Sequence, residues 1–229
     1  MAQALPPNIV ISGAFRSGTT FLFLAFPHAF ADVVTNGRES KVLETELPAK
    51  YKWRVSKSPN DIHQVRIIHE RLDPFIIYML RDPRDSIVSW KKSKNDYHLS
   101  YNEWQRNLLF AESSKSQKMI FVRFEDMIQS PDRTQEYLMA RIEGLEKKHA
   151  LSECHRYMDE DSPIAQQLSH DSGPERTGEK ARPMDSSVIG TWIHDKERIR
   201  DQLARFPELQ ATLEKYGYEQ DDEWQKLLR

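Results

Sequence analysis

No stretch restricts what this chain can fold into as much as residues 8–26. They read Asn8-Ile-Val-Ile-Ser-Gly13-Ala-Phe-Arg16-Ser17-Gly18-Thr19-Thr20-Phe21-Leu-Phe-Leu-Ala-Phe26. Ile9, Val10 and Ile11 form a short buried strand, a loop bracketed by two glycines follows, and an apolar helix completes the unit. Such a loop turns its backbone N–H groups inward, and the helix N-terminus adds partial positive charge, so the unit suits a phosphate. The spacing Gly13-x4-Gly18 is that of a nucleotide-binding P-loop, yet Thr19-Thr20 stand where Lys and Ser or Thr would follow. The lysine that reaches the β- and γ-phosphates of a triphosphate is missing, and a cation sits inside the loop instead, at Arg16. The loop is therefore expected to hold a phosphate other than the γ-phosphate of ATP. The plainer alternative is a turn in which Ser17 and Thr19 only cap the helix.

A second stretch, residues 73–90, repeats the strand-to-helix pattern. Phe75 to Leu80 is an unbroken apolar run, as expected of a parallel strand covered on both faces. Arg81 ends it, and Asp82 with Pro83 opens a helix. On that helix Asp85 and Ser89, four apart, are expected to share a face. Ligands of open parallel sheets bind at the carboxyl ends of strands, so Arg81 and the first loop should line one rim. Between these stretches, residues 32–35 and 52–57 read as strands, 40–47 as a short helix closed by Pro48, and 60–71 as a helix. Farther on come helices at 101–116 and 131–142, with a strand at 118–126. The alternation predicts an α/β fold of three layers, with a central parallel sheet between helices.

Composition narrows the rest. The 229 residues suit a single domain, 1–229, in which 151–183 reads as a loop or lid and 193–229 as C-terminal helices. Net charge is −2, so no global basic field argues for nucleic acid. Cys154 is the sole cysteine, and no Cys/His cluster has zinc spacing, so no metal site is expected. The N-terminus lacks the pattern of a leader, and the longest apolar run, 21–26, is too short to span a bilayer. A soluble, cytoplasmic protein is the expectation, with oligomeric state left open.

Three segments together resemble the sulfotransferases that use 3′-phosphoadenosine 5′-phosphosulfate (PAPS) and release 3′-phosphoadenosine 5′-phosphate (PAP). Arg16-Ser17-Gly18-Thr19-Thr20 is similar to the family's Lys/Arg-Ser-Gly-Thr-Thr loop, which holds the 5′-phosphosulfate. Arg81-Asp82-Pro83 with Ser89, eight residues after the arginine, resembles the pair that holds the 3′-phosphate. Residues 181–192, with Arg182-Pro183, Ser186-Ser187 and Gly190-Thr-Trp192, resemble the segment that closes over the nucleotide in bacterial and Golgi-type members. Residues 121–126 are similar to the family's Tyr-Glu-Asp strand. This chain carries one extra residue, Ile189, before Gly190.

The resemblance implies a P-loop-like fold, PAPS as donor and no metal requirement. It implies in-line sulfuryl transfer to a hydroxyl, or secondarily an amine, of a small-molecule, carbohydrate or lipid acceptor. Arg16 would stabilise the leaving group, while Ser17, Gly18, Thr19 and Thr20 hold the 5′ end. Arg81, Ser89, Arg182, Ser186 and Ser187 would complete the nucleotide site. Glu39 resembles the family's carboxylate base by position, with Glu44, Glu46 and His63 as competitors. Lys57, in Lys-Ser-Pro, resembles a second active-site lysine. Trp53, Trp90, Trp104 and Trp192 are expected in the core or pocket wall, one of them against adenine. The alternatives are an atypical P-loop kinase using Mg-ATP and a non-catalytic PAP-binding module.

Overall fold

A computed structural model describes residues 3–91, 95–114, 116–158 and 184–229. Its centre is β1 (Ile9–Gly13), in which every residue is buried. The central sheet adds β2 (Val33–Thr35), β3 (Trp53–Lys57), β4 (Phe75–Leu80) and β5 (Met119–Arg123). All neighbours pair parallel, in the order β2-β3-β1-β4-β5. Successive side chains of a strand point to opposite faces, and both faces here are apolar. Ile9, Ile11, Ile77 and Met79 pack into one core, and Val10, Ile76, Tyr78 and Leu80 into the other. Helices α1 (Thr19–Ala29), α5 (Phe124–Gln129) and α6 (Pro131–Arg141) cover the first face. The second is covered by α2 (Val65–Leu72), α4 (Tyr101–Ser113), α7 (Lys196–Arg205) and α8 (Glu208–Lys215). This is the expected three-layer α/β/α arrangement around a parallel sheet.

The chain leaves β1 for the far edge at β2, returns through β3, and then crosses β1 to reach β4. The reversal opens a crevice at the carboxyl end of β1, beside β4, which is where open α/β sheets bind ligands. Two glycines let the first loop lie close against its neighbours. A Cβ on Gly13 would stand 2.6 Å from the Met79 carbonyl oxygen. Gly18 has φ +85, and a Cβ there would stand 2.5 Å from Phe124 Cδ2. Gly18→Ala should therefore destabilise the fold by more than about 1 kcal/mol. That corresponds to a fall in Tm of at least roughly 2–4 °C for a chain of this size. An unchanged Tm would mean that α5 yields without cost.

Three local expectations are corrected. Residues 40–47 hold only a 3-10 turn, Val42–Glu44, and Leu47–Pro48 pairs antiparallel with Ala4–Leu5. The Val42 N–H donates to the buried Asp61 carboxylate at 2.8 Å and Thr45 Oγ1 to the Lys41 carbonyl at 2.7 Å, which fixes a turn in place of a helix. The strand expected at 118–126 stops at Arg123, because Phe124, Glu125 and Asp126 already belong to α5. The helix after Asp82 is a single turn, α3 (Pro83–Ile87), so Ser89 lies beyond its end. Asp85 and Ser89 consequently face different partners, described below.

Candidate active site

A cleft of about 890 Å³ lies at the carboxyl edge of the sheet. The loop contributes Arg16, Gly18, Thr19 and Thr20 to its lining, β3 contributes Lys57, and the end of β4 contributes Arg81. Glu39 and Val188 line it as well. Ser17 is buried behind the loop, where its hydroxyl donates to the Ala14 carbonyl at 2.6 Å and holds the turn. Gly18 is the N-cap of α1, so the first-turn N–H groups of that helix, which lack intrahelical acceptors, open toward the loop.

Arg16 has φ +68, a left-handed conformation seldom found outside glycine. Its carbonyl accepts a 2.7 Å bond from Arg81 Nη1, and its own Nε donates to Ser89 Oγ at 3.0 Å. Arg81 also donates from Nη2 to the Val188 carbonyl at 2.6 Å, and its guanidinium lies 4.3 Å from the Phe124 ring centroid. Burial pulls the pKa of Arg81 down, opposed by Asp85, Glu125 and Asp82. Arginine titrates so high that the group remains a cation at neutral pH. Its Nε is buried without a hydrogen-bond partner among the described residues.

Across the cleft the ends of β1 and β3 stand side by side, with Ile11 opposite Lys57 in register. The Ser40 N–H donates to the Lys57 carbonyl at 3.1 Å, which draws the preceding loop against the strand end. Lys57 Nζ then meets Glu39 Oε2 at 2.6 Å, with side-chain exposures of 6% and 39%. The lysine is thus a nearly enclosed cation whose carboxylate partner still reaches the cleft.

Beneath the rim lies a second charged layer. Asp82 caps α3 through the Arg84 N–H at 2.8 Å and pairs with the Arg84 guanidinium at 2.7 Å. Arg84 reaches Glu219 at 2.6 Å and is flanked by the Trp192 and Trp224 rings, at 4.4 and 4.7 Å. Glu125 accepts from the Asp82 N–H at 2.9 Å. Burial pushes the carboxyls of Asp82 and Glu125 up in pKa.

Mouse sulfotransferase SULT7A1, solved in complex with PAP, superposes with a TM-score of 0.53 at 16% identity, covering 93% of this chain and 86% of that one. The sulfotransferase domain from the curacin biosynthetic pathway superposes with a TM-score of 0.52, also at 16% identity, over 83% of this chain and 91% of that domain. The chain has the sulfotransferase fold. No protein-family model matches the sequence, and neither does any curated protein.

Within this sulfotransferase fold, the expected site residues separate into groups. Arg16, Gly18, Thr19, Thr20, Glu39, Lys57 and Arg81 meet in the cleft, and Ser89 joins them through Arg16. Ser186 and Ser187 lie on an exposed 3-10 turn, where Asp185 takes the Ser187 N–H and hydroxyl at 2.9 and 2.6 Å. From that turn it is Val188 that lines the cleft. Arg182 lies outside the described residues. The competing bases sit elsewhere: Glu44 pairs with Lys41 in solvent, Glu46 is exposed, and His63 stacks edge-on to Phe110. Burial, with Arg106 nearby, lowers the pKa of His63.

The aromatic surface of the cleft also differs from expectation. Trp53, Trp104 and Trp192 are buried and Trp90 is 46% exposed, while none of the four lines the cleft. Phe15, Phe21 and Phe124 do. Phe21 was disguised by its place in an apolar run that reads equally well as core. The sequence reading also missed a wall carrying Lys91, Asp96, Tyr97 and His98, formed by the antiparallel pair Trp90–Lys91 with Asp96–Tyr97. Among the described residues, no helix is long and apolar enough to cross a membrane.

Proposed function

We propose that the chain is a sulfotransferase that moves the sulfuryl group of PAPS to a hydroxyl, or secondarily an amine, of a small-molecule, carbohydrate or lipid acceptor. One observation carries the reading. The cation pair expected at the two ends of the donor, Arg16 joined to Ser89 with Arg81 alongside, faces the same cleft as the Lys57–Glu39 pair. The donor set suits a polyanion: a helix N-terminus, the cationic side chains of Arg16, Lys57 and Arg81, and a buried Arg81 Nε with no hydrogen-bond partner among the described residues.

When bound, PAPS supplies the sulfuryl group, whose S–O bond to the 5′-phosphate breaks as a bond to the acceptor oxygen forms. Thr19, Thr20 and the loop N–H groups hold the 5′-phosphate, and Arg81 and Ser89 hold the 3′-phosphate. Glu39 takes the proton of the acceptor hydroxyl, which requires a base within hydrogen-bond reach. Lys57 orients that carboxylate and offers positive charge beside the reacting oxygens, and Arg16 stabilises negative charge developing on the leaving side. Charge neutralisation falls to these side chains, so the scheme assigns no step to a metal ion.

A thermal-shift comparison tests the donor. PAP without metal at a hundred times its dissociation constant should add about 2.7 kcal/mol of stability. For a chain of this size that raises Tm by roughly 5–11 °C. A rise with Mg·ATP and none with PAP overturns the proposal in favour of a kinase.

A further inference from the structure

Asp85 was noticed in the sequence only as a helix-face residue, yet it is the junction between two segments that flank the cleft. It stands in α3, four residues after Arg81, and is 2% exposed. Its Oδ1 accepts from Thr191 Oγ1 at 3.0 Å and from the Trp192 N–H at 2.9 Å. Its Oδ2 accepts from the Gly190 N–H at 2.8 Å and lies 3.8 Å from Arg81 Nη2. Gly190 has φ +74, and this left-handed turn lets two backbone N–H groups converge on one carboxylate. Arg81 closes the ring by donating to the Val188 carbonyl. Val188 is a wall of the cleft, so residues 188–192 form a strap whose position and whose hold on Arg81 share one anchor.

We infer that Asp85 is a positioning residue for the 3′-phosphate end of the donor, acting through Arg81 and the strap. The inference rests on the proposed donor site. Three donors and a cation surround the carboxylate, so its charge is committed to the strap and Arg81. An amide in its place would present an N–H to at least one of those donors, and it would release Arg81 from its ion pair. Arg81 would then lose the constraint that keeps its guanidinium over Phe124 and turned toward the Arg16 carbonyl.

The bland alternative is that Asp85 only caps the turn at Thr191–His194 and supports overall stability. The two roles separate when adenosine 5′-phosphate (AMP) is compared with PAP, because AMP engages the loop but offers no 3′-phosphate. Dissociation constants of both nucleotides are measured by titration calorimetry on the wild-type protein, Asp85→Asn and Thr191→Val. Asp85→Asn should weaken PAP by about tenfold or more, the scale of a lost charge-assisted hydrogen bond, and leave AMP within about twofold. Thr191→Val removes one bond at the surface of the anchor and keeps the test available if Asp85→Asn does not fold. It should lower the preference for PAP over AMP by roughly two- to fivefold. Equal weakening of both nucleotides, or an unchanged preference in the variants, overturns the inference while the donor site stands. A wild-type protein that binds PAP no more tightly than AMP overturns the donor site, and the role of Asp85 with it.

Discussion

Glu39→Gln should lower turnover by roughly 10²–10⁴-fold, the range expected for loss of a general base, while PAP affinity stays close to wild type. Glutamine keeps the size of the side chain and can still accept from Lys57 Nζ, which lies 2.6 Å from Glu39 Oε2. It cannot take a proton from a hydroxyl at neutral pH. On the proposed scheme the PAP site draws on the first loop, Arg81 and Ser89, whose hydrogen bonds tie them to one another and to Val188 rather than to Glu39, so binding of the nucleotide should be spared. Stability should fall modestly, because Lys57 would be left as an enclosed cation beside a neutral amide. Turnover is therefore read at a temperature where melting shows the variant folded. Glu44→Gln serves as the control: Glu44 meets Lys41 in solvent, with exposures of 68% and 63%, and its loss should leave turnover near wild type. If Glu39→Gln retains half or more of wild-type turnover, the base lies elsewhere.

That the control can be named at all shows what the sequence left open. Four candidate bases were compatible with the chain because a carboxylate's neighbours are set by tertiary contacts that no local pattern reports. The structure brings Glu39 into the cleft through one strand register: Lys57 ends β3 opposite Ile11, and a loop hydrogen bond from Ser40 draws Glu39 to it. The sheet itself was legible. Ile9 to Ile11 and Phe75 to Leu80 are apolar runs with no polar face, which only a strand covered on both sides explains. The loop was legible too, since Gly13 and Gly18 stand where a side chain would meet β4 and α5. Short elements were not. A single-turn helix at Pro83–Ile87 offers too few residues for periodicity to end it, so Ser89 was placed on a face that does not exist. The Lys91–Asp96 wall escaped for a related reason, because a two-residue antiparallel pair has no alternation to read. Asp85 was visible as a residue but not as an anchor, since its partners lie more than a hundred positions away at Gly190, Thr191 and Trp192.

Arg16→Ala should reduce turnover by about 10²–10³-fold, the cost of removing one preorganised donor from developing charge, with PAP affinity weakened by less than about tenfold. The unequal split follows from where the charges are. On the proposed scheme the 5′-phosphate is also met by the loop N–H groups and the α1 N-terminus, so binding has several contributors. Charge on the bridging oxygen grows only as the sulfuryl group departs, and on the proposed scheme Arg16 is the loop's cation there. The backbone argues that the side chain alone changes. Arg16 holds φ +68, and alanine at that angle has no advantage or penalty that arginine lacks, while the Arg81 bond to the residue 16 carbonyl is retained. Arg16→Lys should recover part of the turnover, since it restores charge but not the planar fork that donates to Ser89 Oγ. Steady-state turnover and PAP dissociation constants for both variants decide the matter. Equal losses in the two quantities would reduce Arg16 to a binding residue and move the stabilisation of the leaving group to Lys57, the cation that lines the same cleft and pairs with Glu39.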